Sequence, residues 1–185
     1  MEATSLEEAI RTGQTFLCEG AMDLIQAETV EVVIDATGSP AAGIHHALAA
    51  IEHGKHIVMV NVEADTLAGP LLAEKARKAG VVYSLAYGDQ PALIAEIVDW
   101  VHAYGSPMVA AGKGTKYLPI YHEITPDTVW QHHGLTPETV QAGGMNPQMF
   151  NPFLDSTKSA IEMAAVANAC DLWPPDDGLG FPVWG

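Results

Sequence analysis

Residues Val30–Pro40 read Val-Glu-Val-Val-Ile-Asp-Ala-Thr-Gly-Ser-Pro. The stretch is a β-branched apolar run, then an acid, then a glycine turn that leads into a helical pattern. A continuous Val/Ile run suits a strand buried on both faces of an open parallel sheet. Ligands of such sheets occupy the crevice beyond the strand carboxyl ends. Asp35, Thr37, Gly38 and Ser39 fall at that end. On these residues alone two readings stay open: a crevice of the nucleotide-binding type, and a tight strand-to-helix turn made by Gly38 and Pro40.

The neighbouring segments extend the pattern. Ser5-Leu6-Glu7-Glu8 has capping-box spacing, so a short helix is expected up to Arg11, stopping at Gly13. Thr15–Cys18 reads as a short strand and Ala21–Gln26 as a short helix. Strand Glu31–Ala36 is followed by a helix over Pro40–Glu52, with Ile44, Leu48 and Ile51 on its apolar face and Gly54 past its end. His56–Val60 reads as a buried strand with Asn61–Asp65 as its carboxyl-end loop, Pro70–Ala79 as a helix closed by Gly80, and Val81–Ala86 as a third parallel-type strand. The succession is βαβαβ.

Beyond it, the loop Tyr87–Pro91 ends in a proline suited to a first helical turn, and the helix it opens runs to Tyr104 with Ile94, Ile97, Val98 and Val101 on one face. Short apolar runs follow at Pro107–Ala111 and Tyr117–Tyr121. Thr125-Pro126 and Thr136-Pro137 look like helix starts, and Asp155–Cys170 reads as one long helix with Asp155 as its cap. The tail from Trp173 to Trp184 is turn-rich, without a strand period.

Of 185 residues, 23 are Asp or Glu and 8 are Lys or Arg, a formal charge of −15 that repels phosphate backbones and argues against nucleic acid as a partner. The scarcity of cations makes their positions informative. Arg11, Lys55, Lys75, Arg77 and Lys78 fall in expected surface helices and turns. Lys113, Lys116 and Lys158 fall in glycine-rich or capped segments, where a phosphorylated or carboxylated small molecule would need positive charge. Cys18 and Cys170 are too few for a disulfide framework, which fits a reducing cytoplasm. The amino terminus lacks the pattern of a secretory signal, and no apolar run reaches the roughly 18 residues of a membrane span.

No G-x-G-x-x-G run occurs, although a dinucleotide fold uses one to bring backbone N–H groups to a pyrophosphate. Gly112-Lys113-Gly114-Thr115-Lys116 begins that way but lacks the third glycine and follows the βαβ units instead of opening them. The histidines do not make a metal site: His53 and His56 are separated by the helix-breaking Gly54, and cysteine or carboxylate partners at zinc spacing are missing. His122 and Glu123 are either polar site residues or part of a solvated loop. Asp155-Ser156-Thr157-Lys158 is a stronger constellation. It opens a helix, whose N-terminus favours anions, yet it carries Lys158 where a cation is electrostatically unfavourable. Such a local conflict points to function.

Six segments carry a family resemblance: Val-Ile-Asp-Ala-Thr-Gly-Ser-Pro, Val-Met-Val-Asn-Val-Glu-Ala-Asp, Tyr-Gly-Asp-Gln-Pro-Ala-Leu, Ala-Gly-Lys-Gly-Thr-Lys-Tyr-Leu-Pro, Gly-Gly-Met-Asn-Pro-Gln-Met-Phe-Asn and Phe-Leu-Asp-Ser-Thr-Lys-Ser-Ala-Ile-Glu-Met. In these the chain resembles a bacterial family related to homoserine dehydrogenase, the SAF-domain oxidoreductases, which include enzymes like 1-deoxy-D-xylulose 5-phosphate reductoisomerase. The resemblance implies an α/β chain: a partial Rossmann-like parallel sheet over residues 1–105, then an α+β catalytic and dimerisation segment over 106–185. It implies NADP or NAD as hydride carrier, with Thr37, Gly38 and Asn61 along the nicotinamide half and Gly88, Asp89, Gln90 and Pro91 beside them. Lys113, Lys116, Asp155 and Lys158 are expected to face the substrate, a lysine holding a phosphate or polarising a carbonyl and a carboxylate moving a hydroxyl proton. Val62 stands where homoserine dehydrogenases often carry a lysine, which makes homoserine the lesser alternative.

Family members begin with a strand and a glycine-rich turn upstream and usually carry a SAF domain downstream. Neither is found in this sequence, so a fragment or a reduced relative is the expectation. A non-catalytic assembly module, with its sheet edge covered by a second copy or a partner, is the alternative of another class.

Overall fold

Three parallel strands position the residues of interest. The computed structural model describes residues 2–178 and residue 180. Contacts divide the chain into the units Met1–Asp89 and Gln90–Gly185. Leu179 and the end of the expected tail, Phe181–Trp184, lie outside the described residues.

In the first unit, β1 (Glu2–Ala3) and β2 (Thr15–Phe16) pair in parallel on either side of α1 (Leu6–Thr12). Ser5 caps the helix as its spacing predicts, while Glu8 reaches past it to Thr4. The Glu8 backbone N–H donates to the Ser5 hydroxyl, and the Glu8 carboxylate accepts from the N–H and hydroxyl of Thr4 at 2.8 and 2.6 Å. After α2 (Ala21–Ile25) comes a sheet in the order β3 (Val32–Asp35), β4 (His56–Met59), β5 (Tyr83–Leu85), all parallel, with Asp35 opposite Met59 and Met59 opposite Leu85.

The crossovers are α3 (Pro40–Glu52), capped by Ser39, and α4 (Val62–Ala79), capped by Asn61. They pack on each other, and the core they form with the strands holds Ala47, Ala50, Ile57, Met59, Leu72 and Ala76. Two crossovers of the same hand, moving in one direction along the sheet, cover one face. The expectation of strands buried on both faces therefore fails for β3, where Val32 is 50% and Ile34 66% exposed.

Asn61–Asp65 is also not a loop. Asn61 starts a helix that continues through Pro70 to Gly80, where φ of +74° closes it. An interior proline forfeits one helical hydrogen bond and costs about 3 kcal/mol. The buried stripe Val62, Asp65, Gly69, Leu72 and Ala76 offsets that, because packing outweighs local propensity.

The second unit is helical among its described residues: α5 (Gln90–Ala103), a 3-10 turn at Pro119–Glu123, α6 (Val129–His133), α7 (Pro137–Ala142), α8 (Pro147–Leu154) and α9 (Thr157–Cys170). The expected α+β character is not seen there. Pro107, Gly112, Gly114 and Pro119 bracket the apolar runs and withhold the donors and stiffness a strand needs. α5, grouped by its sequence pattern with the sheet, packs on α9 in this unit. Val98 is buried as its face predicts, but Ile97 is 62% exposed. Thr136 caps α7 as expected, whereas the first Thr-Pro forms a turn and α6 begins only after Thr128. Asp155 is not the cap of the last helix. It ends α8, and Ser156, at φ +76°, makes the corner into α9.

Candidate functional site

At the carboxyl end of β3 the chain buries a charge. Asp35 is 2% exposed, and both of its oxygens are engaged. Oδ1 accepts from the Thr37 N–H at 3.3 Å, the Thr37 hydroxyl at 3.0 Å and Asn61 Nδ2 at 3.1 Å, while Oδ2 lies 2.7 Å from His46 Nδ1. Burial pushes the Asp35 carboxyl up, but hydrogen bonds from His46, Asn61 and Thr37 outweigh it and hold the group below its ordinary value.

Asn61, 1% exposed, ties the two strand ends together. Its Nδ2 also donates to the Ser39 carbonyl at 2.8 Å, and its Oδ1 caps α4 by accepting from the Ala64 N–H at 3.1 Å. Gly43 of α3 is what lets Asn61 lie there. A Cβ at position 43 would stand 2.5 Å from Asn61 Nδ2 and 2.9 Å from the Ala64 Cβ. Thr37 and Gly38 thus form an open turn over a fixed polar floor, Gly38 having φ of +65° and open space where a Cβ would be.

A second buried acid lies deeper in this unit. Asp65 accepts from the Tyr83 hydroxyl at 2.8 Å. Burial raises the Asp65 carboxyl despite that bond, and burial together with the Asp65 charge raises the Tyr83 hydroxyl. Gly69, one turn on, leaves room for this carboxylate.

The division between units falls within the loop expected beside the cofactor. Gly88, at φ +102°, and Asp89 end the first unit; Gln90 and the buried Pro91 open α5 in the second. In the second unit Lys113 Nζ donates to Gln90 Oε1 at 3.1 Å and forms an ion pair with Glu162 of α9. The Lys113 and Glu162 side chains are 17% and 4% exposed. Lys116 is exposed. At the corner between α8 and α9, Asp155 accepts from the Thr157 N–H at 2.8 Å and from Asn151 Nδ2 at 2.7 Å. Lys158 follows in the first turn of α9, one turn before Glu162. The structure therefore brings Gln90 to Lys113, and Asp155 to the start of the helix that bears Lys158. A cavity of about 540 Å³ in this unit, lined by Trp130, Val140 and Met145 among others, contains none of these residues.

Asp35 stands at the expected crevice, but its hold on Thr37 and Asn61 is not written in the sequence. His46 carries no local signal, because its partner comes from tertiary contact. Asn151 falls in the polar approach to Asp155, and its bond to that residue depends on the unforeseen α8. Glu162 could have been found, since it stands four residues after Lys158 on an expected helix and is the residue of that face which buries a charge. Among the described residues no group of three or more His, Cys, Asp or Glu could hold a metal ion, and no helix is long and apolar enough to cross a membrane.

Comparison with known proteins divides the chain in two. Residues 88–185 match the profile of the oxidoreductase DRL catalytic domain, and residues 4–85 match that of the homoserine dehydrogenase NAD-binding domain. The 1-deoxy-D-xylulose 5-phosphate reductoisomerase of Pseudomonas fluorescens strain SBW25 is 35% identical over 82 residues, 44% of this chain and 19% of that protein. The matched stretch thus spans about a fifth of the curated relative.

Proposed function

This chain belongs to the oxidoreductase DRL family, and on that premise we propose that it serves NAD(P)H-dependent reduction or reductoisomerisation of a small polyol or ketose phosphate. The observation that carries the reading is the Asn61 bridge. It fixes the Thr37–Gly38 turn at the carboxyl ends of two parallel strands, where doubly wound sheets take their ligands, inside the segment similar to an NAD-binding domain.

The residues present fit the nicotinamide half of a dinucleotide. The turn is open above Gly38, and a polar floor of fixed orientation lies beneath it. A bound nicotinamide supplies the hydride. In this reading Thr37, Gly38 and Asn61 orient that half, with Gly88, Asp89, Gln90 and Pro91 beside it. Lys113, Lys116 and Lys158 hold or polarise the substrate's oxygens. Asp155 exchanges a proton with a substrate hydroxyl through a lone pair that Thr157 and Asn151, one on each oxygen, leave over.

Calorimetric titration with NADPH and NADH, followed by turnover of 1-deoxy-D-xylulose 5-phosphate with the reduced nucleotides and of homoserine with NADP+ or NAD+, tests the reading. Saturable binding and oxidation of the nicotinamide by the ketose phosphate are expected. Turnover of homoserine alone would move the chain to the dehydrogenase alternative.

One observation favours a second reading, an assembly module working as a homo-oligomer. β3 is an edge strand, and its outward residues Val32 and Ile34 are apolar and exposed. A folded chain that binds neither nucleotide but sediments as a dimer would support it.

A further inference from the structure

The three lysines expected at the substrate are not equivalent, and the difference lies in Glu162. The Glu162 side chain is 4% exposed, on the face of α9 that packs inward, and its ion-pair partner is Lys113. Leaving a buried carboxylate's charge unmatched is costly, and that cost holds the Lys113 ammonium against Glu162. Gln90 Oε1 takes another of the three ammonium N–H groups. We infer that Glu162 is a positioning residue that cancels the charge of Lys113, so that Lys113 offers its remaining N–H to an uncharged carbonyl or hydroxyl oxygen of the substrate and not to its phosphate.

This rests on the reading that Lys113 faces substrate. It goes beyond that reading by dividing the work among the lysines: the anionic end of the substrate is left to Lys116 or Lys158. A phosphate brought to Lys113 would meet a charge already spent and the negative field of Glu162 behind it. A carbonyl oxygen needs only a directed donor there, and Glu162 and Gln90 fix its direction. The charged groups on the elements around the pair are Lys158 on α9 itself, Asp155 at the end of α8, and Glu96 and Asp99 on α5. Asp99 acts on Cys170, at the far end of α9.

The test needs no turnover, so it stays distinct from the test of the activity. Lysine acylation by acetic anhydride is followed site by site by mass spectrometry at neutral pH, with and without inorganic phosphate. It is applied to the wild-type chain, to Glu162→Gln and to Glu162→Asp, each verified as folded by circular dichroism. In the wild type Lys113 is expected to react more slowly than Lys75, Lys78 and Lys116, and phosphate to leave its rate unchanged. Glu162→Gln removes the charge at nearly constant shape, and should raise Lys113 acylation about tenfold and make it sensitive to phosphate. Glu162→Asp loosens the packing but keeps the charge, and should leave Lys113 slow, which a purely structural role for Glu162 would not predict. Phosphate protection of Lys113 in the wild type, or equal acylation of Lys113 in Glu162→Gln and wild type, overturns the inference. If Glu162→Gln does not fold, the wild-type phosphate comparison decides alone. Loss of turnover on Lys113→Met, by contrast, bears only on the proposed activity.

Discussion

His46 reaches from the second turn of α3 to place Nδ1 2.7 Å from Asp35 Oδ2, so a strand end and the helix that follows it share one part-buried hydrogen bond. The other Asp35 oxygen holds Thr37 and Asn61, and through them the turn where a nicotinamide is proposed to lie.

Because the folded Asp35 carboxyl lies below its ordinary value, the network adds stability above the unfolded-state pKa of about 4, and that contribution is lost as pH falls through the lower folded value. Urea midpoints taken from pH 6 down to pH 3 should fall for the wild type. The fall should be shallower for Asp35→Asn, which itself should cost about 1–3 kcal/mol at pH 6 by leaving His46 or Asn61 mispaired.

Gly43→Ala should disturb the turn through Asn61. The added methyl meets Asn61 Nδ2 at 2.5 Å, so either α3 moves off α4 or the amide leaves Asp35. A loss of about 1–3 kcal/mol in denaturant unfolding is expected, with nicotinamide affinity reduced as well.

For Asp65 the sign is opposite. Its folded value is raised, so its contribution is fully present below the unfolded-state value and is lost as pH rises through the folded one. Tyr83→Phe strips the carboxylate of its hydrogen bond and should destabilise the fold by about 1–3 kcal/mol at neutral pH. Asp65→Asn combined with Tyr83→Phe should cost less than the sum of the two single changes, as a double-mutant cycle of unfolding midpoints would reveal.

Lys158→Ala should lower the catalytic rate by about 10²-fold while leaving the melting temperature and NADPH affinity largely as they are. An unchanged rate would remove Lys158 from the mechanism.

The legible parts of the chain were those whose signals are local. The Val/Ile strands, the caps at Ser5 and Thr136, and the glycine stops at Gly13 and Gly80 are each written within a few residues, and each formed. The α/β class followed from their order. Pro70 misled, because the interior-proline rule is local and the buried stripe that overrides it is not. α8 was hidden behind Gly143-Gly144 and two prolines, which read as loop until Asn146 is seen capping the helix. Among the site residues, the spacing of Asp35 and Thr37 was visible. The His46 and Glu162 partnerships cross between elements and have no signature in one sequence.

The uncovered row of Val32 and Ile34 lies on the end strand of its sheet, in a chain carrying a formal charge of −15. Mutual repulsion between molecules is then what keeps two such rows from meeting, and dissolved salt shortens its reach to about 8 Å at physiological ionic strength. The colloidal behaviour of this chain is therefore set by its buffer. It should disperse in dilute solution, and added electrolyte should bring copies together along the β3 edge, reversing the effect salt has on contacts between opposite charges.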